Sequence, residues 1–225
     1  MKQIVIAIDG PAASGKSTTA KSVAGRLGYL HVDTGAMYRA ITLKALRRGI
    51  DVRNAEAVER LAGQTEVRLE RGEGDVKVLL DGEDVTKQIR KPEVTKAVSA
   101  VSSYRKVREA MVREQRRIGK AGGIVLEGRD IGTVVFPRAE LKVYLVANIE
   151  ERARRRRDEL QAQGVVSDLG AVIHDIVERD EKDSKRRVSP LRKAADAVVL
   201  DTSTMTIQQQ VDFIVQKARK IIKKR

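Results

Sequence analysis

Gly10-Pro11-Ala12-Ala13-Ser14-Gly15-Lys16-Ser17 fits the spacing G-x-x-x-x-G-K-[ST]. This stretch restricts the fold more than any other part of the chain. Its glycines let successive backbone N–H groups turn inward around an anion. A helix starting near Lys16 adds the positive end of its dipole. Lys16 can then reach the outer phosphates of a nucleotide, and Ser17 can ligate Mg²⁺ through its hydroxyl. Such a loop works only between a strand and a helix, and the flanks predict both. Gln3–Asp9 (QIVIAID) is a short apolar run that stops at Gly10-Pro11, the pattern of a buried parallel strand. Lys16–Leu27 places Ala20, Val23, Ala24 and Leu27 at helical spacing, with Gly28 as its stop.

The alternation continues along the chain. Strands are predicted at Tyr29–Val32, Gly123–Leu126, Leu141–Ala147 and Ala197–Leu200. Helices are predicted at Ala36–Arg48, Glu150–Gln163, Asp168–Glu181 and Ile207–Ile222, the last running into the basic tail Lys223–Arg225. Strands alternating with helices imply a parallel sheet covered on both faces. Ligands on such sheets bind beyond the carboxyl ends of the strands. Gly10–Lys16, Asp33–Gly35 and Glu127–Asp130 each follow a predicted strand. Glu66–Val85 differs: Val67 and Leu69, then Val76, Val78 and Leu80, alternate with polar residues across turns at Gly72–Asp75 and Asp81-Gly82. That is an antiparallel hairpin with one wet face, read as an inserted subdomain. Pro92–Ile118 reads as mostly helical and basic.

The length of 225 residues suits one domain with insertions. No apolar run is long enough to span a bilayer. The N-terminus enters a strand directly, so no secretory leader is expected. The absence of cysteine excludes disulfides and thiolate metal sites and accords with a cytoplasmic location. A net charge of +14 suits polyanionic partners, nucleotides or nucleic acid, though a basic surface also serves solubility. Aromatics are only 3% of the chain, which weakens a single-strand-binding reading because such proteins stack bases on aromatic rings.

No Asn/Thr-Lys-x-Asp guanine reader is found, and Ile124–Leu126 leads into Glu127-Gly128-Arg129-Asp130 rather than a lone aspartate. The reading therefore moves from GTPases and motor ATPases to small-molecule kinases. Phosphoryl transfer needs positive charge around the moving group, and arginine grips phosphate oxygens in pairs. Arg39, Arg129, Arg155, Arg156, Arg179 and Arg186 lie on or near predicted strand ends and charged helices. Arg154–Arg157 point in several directions, so not all can meet one ligand. Asp33 either holds a Mg²⁺-bound water or caps the following helix. Asp130 either reads a base amino group or caps a turn. Asp183 either binds a ribose hydroxyl or pairs with Lys182, Lys185 or Arg186. His31 is read as strand packing and His174 as a helix surface residue.

Several motifs in order resemble the bacterial cytidylate kinase family: IDGPAASGKST (Ile8–Thr18), DTGAMYR (Asp33–Arg39), DGEDVT (Asp81–Thr86) with Ile89-Arg90, S-x-V (Ser99–Val101), VRE (Val107–Glu109), EGRDIGTVVFP (Glu127–Pro137) and ERD…D…R (Glu178–Arg186). The likeness spans nearly all of the chain. It implies an α/β P-loop three-layer fold with a central parallel five-stranded sheet, an inserted small antiparallel subdomain and a helical lid. The core would comprise 1–38, 97–150 and 187–225, the nucleoside-monophosphate insert 39–96, and the lid region 151–186, mobile within Glu151–Gly164. The family's glycine is often present where this chain has Ala12-Ala13, and its serine often stands where this chain has Thr34. The resemblance further implies that Gly10, Pro11, Ala12, Ala13, Ser14, Gly15, Lys16, Ser17 and Thr18 hold the phosphates of ATP, with Mg²⁺ at Ser17 and Asp33. Arg39 and Arg129 would hold the CMP phosphate, with Thr34 also on the substrate. Ser99, Arg108 and Asp130 would read cytosine, Arg179 and Asp183 would contact the sugar, and Arg186 the phosphates. Arg155 and Arg156 would swing in with the lid. Lys16, Arg129, Arg155, Arg156 and Arg186 would then carry catalysis.

The implied reaction is ATP with CMP or dCMP giving ADP with CDP or dCDP, by a monomer without obligate nucleic acid or membrane. The competing readings are a P-loop kinase for another acceptor such as UMP, AMP or a sugar, and a non-catalytic nucleic-acid binder.

Overall fold

The computed structural model describes residues 3–71, 76–162 and 164–223. The predicted turn Gly72–Asp75, the helix end at Gln163 and the last two residues of the basic tail lie outside the described residues. In chain order the elements are β1 (Val5–Asp9), α1 (Lys16–Leu27), β2 (Leu30–Asp33), α2 (Thr34–Arg47), α3 (Ala55–Gly63), β3 (Val67–Arg71), β4 (Val76–Leu80), β5 (Glu83–Asp84), a 3₁₀ turn (Gln88–Arg90), α4 (Pro92–Val101), α5 (Arg105–Gly119), β6 (Ile124–Gly128), a π-helical turn (Ile131–Val135), β7 (Leu141–Val146), α6 (Ile149–Ala162), α7 (Leu169–Lys185), β8 (Val198–Asp201) and α8 (Ile207–Lys223). The chain divides into two compact units, Met1–His31 with Gly122–Arg225, and Val32–Ala121.

The first unit is built on a parallel five-stranded sheet of order β2-β6-β1-β7-β8. Its middle strand is β1, and Ile6, Ala7 and Ile8 there are wholly buried, as a strand covered on both faces requires. Val23 and Ala24 of α1, with Val211, Ile214 and Ala218 of α8, pack on Ile6, Ile8, Val143 and Leu145. The register sets Asp9 level with Gly128 of β6 and Tyr144 of β7. The loops leaving β1 and β6 therefore start at one edge, the carboxyl edge where ligands of such sheets bind.

The second unit holds an antiparallel sheet of order β3-β4-β5. The Asp81-Gly82 turn takes left-handed backbone at both residues, φ 49° and 88°, which suits a tight hairpin. The Asp81 carboxylate accepts the Glu66 N–H and closes it. Its core gathers Met37, Ile41, Val58, Val78, Leu80, Ile89, Val101 and Met111. The central parallel sheet and the separate small antiparallel sheet agree with the α/β fold expected from sequence.

The details differ in four places. The hairpin gains a third, two-residue strand. Helix α3, capped by the Asn54 side chain, stands where no element is predicted. The basic helical stretch is two helices, because Ser102 and Ser103 hydroxyls donate to the Ser99 and Ala100 carbonyls at the end of α4. Strand β6 continues through Glu127 to Gly128 rather than ending at Leu126. Among the described residues no helix is long and apolar enough to cross a membrane.

Candidate active site

In the first unit the phosphate loop runs from β1 into α1. A side chain at Gly10 would meet the Leu145 carbonyl oxygen at 2.3 Å, so only glycine fits this approach to β7. Gly15 precedes α1 with φ 87°, and no side chain caps that helix among the described residues. Its first N–H groups are thus left to an anion, as a phosphate site needs. Lys16 is buried, and its Nζ donates to the Pro11 carbonyl at 2.5 Å and to Ser14 Oγ at 3.3 Å, over the loop. Burial and the nearby Arg129 push the ammonium well below its usual pKa, against the pull of Glu127. Ser17 Oγ donates to Glu127 Oε2 at 2.6 Å, and Glu127 Oε1 lies 2.9 Å from His31 Nε2. His31, expected only to pack in its strand, therefore shares a buried carboxylate with the loop. His174 is exposed on α7, as expected.

Arg129, at the end of β6, donates from Nε to Asp183 Oδ2 at 2.8 Å. Arg186 stands 3.8 Å from both Asp130 and Asp183, and its Nε donates to the Ser189 carbonyl. Burial raises the Asp183 carboxyl, but Arg129, Arg179 and Arg186 outweigh it and hold the pKa below its ordinary value. Of the partners weighed from sequence, Arg186 meets Asp183. Lys182 and Lys185 turn instead to Glu178 and Glu181 along their own helix. The result is a buried cluster of matched charges at the carboxyl edge.

Arg155 also reaches the loop: its guanidinium would lie 3.2 Å from a side chain at Gly15. It is anchored to Thr202 through the hydroxyl at 3.1 Å and the carbonyl at 2.7 Å. Arg156 pairs with Glu159 along α6, and Arg154 with Glu151. Arg155 shares Glu151 with Arg154, while Arg156 and Arg157 turn to other carboxylates, so the run does not converge on one point. A cavity of about 340 Å³ beside the loop is lined by Ala13, Gly15, Thr18, Arg155, Met205 and Thr206.

Asp9 is a site residue that the sequence reading missed. Its carboxylate accepts the Ile131 and Gly132 N–H groups at 2.8 and 2.7 Å, fixing the turn that follows Arg129-Asp130. A side chain at Gly132 would crowd Asp9 and Lys142. Burial raises the Asp9 pKa from 3.8 to about 6, only partly offset by the two N–H donors. The folded chain thus holds a proton where the unfolded chain has lost it. Stability contributed by this group falls as pH rises from about 4 to about 6, by about 3 kcal/mol. Asp9→Asn should remove that slope. In urea unfolding from pH 4 to 7, the variant should gain on the parent as pH rises through this window. A gap independent of pH would refute the burial account.

In the second unit Asp33 caps α2 by accepting the Ala36 N–H at 3.1 Å. Its other oxygen faces Arg90 at 3.5 Å and Arg39 at 3.7 Å. Thr34 is buried at the helix start. Arg108, also buried, donates to the Ser102 carbonyl at 2.9 Å and lies over the Tyr38 ring, 5.2 Å from its centre. Ser102 in turn donates to the carbonyl of Ser99, so these sequence-predicted residues share one local network. Tyr38 and Arg90 were not singled out from sequence, although both fall within motifs quoted above.

A parallel sheet carrying this loop, with a lysine and arginines at its carboxyl edge, defines a P-loop nucleotide kinase. The family profile described as cytidylate kinase matches residues 6–220. A cytidylate kinase of Pelotomaculum thermopropionicum is 51% identical over 94% of this chain and 94% of its own, and one of Bacillus pumilus 49% over 99% of each. The chain belongs to the cytidylate kinase family. A bifunctional pantoate ligase/cytidylate kinase of Synechococcus is 50% identical over 98% of this chain and 41% of its own length. The structure of shikimate kinase from Bacteroides thetaiotaomicron superposes with a TM-score of 0.50 at 14% identity over 98% of this chain and 99% of that one, a likeness of fold alone.

Proposed function

We propose that this chain transfers the terminal phosphoryl group of ATP to a phosphate oxygen of CMP or dCMP. That oxygen bonds to the terminal phosphorus as the bond to the bridging oxygen breaks. ADP leaves with the electron pair, so no protein nucleophile is needed. The observation that carries the reading is the buried Lys16 folded over a helix start that no side chain caps, where burial and Arg129 disfavour its charge and the phosphates of a nucleotide would favour it.

Gly10–Thr18 would hold the ATP phosphates, and the cavity beside Gly15 and Thr18 is assigned to the donor nucleoside. Mg²⁺ fits the oxygen pair of Ser17 and Glu127 better than Asp33, whose oxygens already serve the α2 cap and two arginines. When bound, the ion neutralises charge on the phosphate oxygens. Arg39 and Arg129 are assigned to the acceptor phosphate, with Thr34 nearby in sequence as a hydroxyl donor. Arg179 and Asp183 are assigned to the sugar, and Arg186 to the phosphates. Arg155 and Arg156 belong to a lid whose closure expels water. The acceptor-binding insert is assigned to 39–96, within the unit Val32–Ala121, and the lid to 151–186, in a cytoplasmic monomer.

Ser99, Arg108 and Asp130 are assigned to cytosine. A carboxylate accepting from the N4 amino group suits cytosine and rejects uracil, which presents an oxygen there. Asp130→Ala should lower the CMP-over-UMP ratio of kcat/KM about tenfold or more while the KM for ATP changes little. An unaltered ratio in initial-rate assays would remove Asp130 from base reading.

A further inference from the structure

Three contacts dock the phosphate loop on α6 and α7, and none of the roles above uses them. The Ala12 N–H donates to Asp180 Oδ1 at 2.9 Å. The Ala12 carbonyl accepts from Arg152 Nε at 2.8 Å. Asp180 and Arg152 are themselves ion-paired, which closes the arrangement. The third contact is apolar: Ala13 packs against the cluster of Ala153, Val172 and Ile176 between the two helices.

Ala13 explains why such a clamp is needed. Its φ is 55°, left-handed backbone that an L-residue adopts only when its surroundings hold it there. Glycine takes that conformation freely. This loop has alanine, and the two polar groups of the residue just before it are both fixed by side chains from elsewhere. Arg152 is buried and Asp180 largely so, and burying a charged pair is costly unless further hydrogen bonds satisfy it, which here the Ala12 N–H and carbonyl supply. Asp180 alone would also set a negative charge beside a phosphate site, and Arg152 cancels it.

We infer that Asp180 and Arg152 are positioning residues for ATP: they hold the Ala12 peptide so that Ala13 keeps the turn that aims the following N–H groups at the phosphates. The inference rests on the phosphate-loop reading above. It also makes the bases of α6 and α7 part of the donor site.

The test is calorimetric titration of ATP, and separately of CMP, into the full chain. Asp180→Ala should weaken ATP about tenfold and leave CMP within about twofold. Asp180→Asn keeps an acceptor for Ala12 but loses the ion pair, and should fall between. In the Asp180→Ala background Ala13→Gly should recover most of the loss, because glycine needs no clamp. A merely structural role would give no such rescue. ATP affinity within about twofold of the parent in both Asp180 variants would overturn the inference. So would a parallel loss of ATP and CMP affinity without rescue. If Asp180→Ala does not fold, Asp180→Asn with and without Ala13→Gly decides by the same criteria. Lys16→Ala is titrated alongside. Unchanged ATP affinity there overturns the phosphate-loop reading and this inference together, whereas loss there with none at Asp180 overturns the inference alone.

Discussion

Lys16→Ala is expected to lower kcat with ATP and CMP by about a thousandfold or more. The ammonium is the one side-chain cation within the loop itself, and it lies over the loop rather than in solvent. In the folded chain without nucleotide, burial and Arg129 disfavour its charge. In the proposed role nucleotide phosphates would supply the counter-charge, the more so as negative charge gathers on the moving phosphoryl group. The substitution removes a buried cation that costs the empty protein stability, so the urea midpoint should not fall. Rate and stability are therefore expected to part. Turnover within about tenfold of the parent would contradict the mechanism. A collapsed urea midpoint would show that Lys16 is structural.

Arg129→Ala should come second, with kcat lowered by about a hundred- to a thousandfold. This variant should lose stability as well. Asp183 would keep Arg179 and Arg186 but lose the guanidinium that it contacts at 2.8 Å. Leaving a buried carboxylate short of a partner costs about 3 kcal/mol. Because Arg129 helps to hold the Asp183 pKa down, the pair stabilises the fold above the ordinary aspartate pKa and loses that contribution as pH falls through the depressed value. The penalty of Arg129→Ala should therefore shrink in acid. Arg129→Lys separates the two roles. It keeps the charge and should restore most of the stability at neutral pH. It lacks the planar fork and should restore little of the rate. Equal recovery of both would mean that Arg129 acts as a charge only.

The phosphate loop and the strand–helix alternation were legible because each is local. Gly10–Ser17 needs only its own spacing, and the buried run Val5–Asp9 needs only its own composition. Asp33 as a helix cap was equally local, three residues from its donor. What stayed hidden depends on pairing across the chain. Asp9 reads as the polar end of a strand, and nothing nearby says that it will accept N–H groups of Ile131 and Gly132. Glu127 reads as a loop residue because the predicted strand ends two residues short of Gly128, and so its hydrogen bonds to Ser17 and His31 were missed. Asp180 sits inside the quoted ERD motif, but its partner Ala12 lies on the far side of the sequence. The split of the basic helical stretch was missed for the opposite reason: Ser102-Ser103-Tyr104 is a local signal, outweighed in the reading by helical spacing on either side.

Transfer of the terminal phosphoryl group from ATP to CMP is followed by labelling it. The full chain is incubated with Mg²⁺, CMP and ATP carrying radioactive phosphorus at its terminal position, and the products are separated. The label should move to CDP, one for each ADP formed, and not in the Lys16→Ala chain. Label released as inorganic phosphate, or found only on an acceptor other than a cytidine nucleotide, would contradict the account.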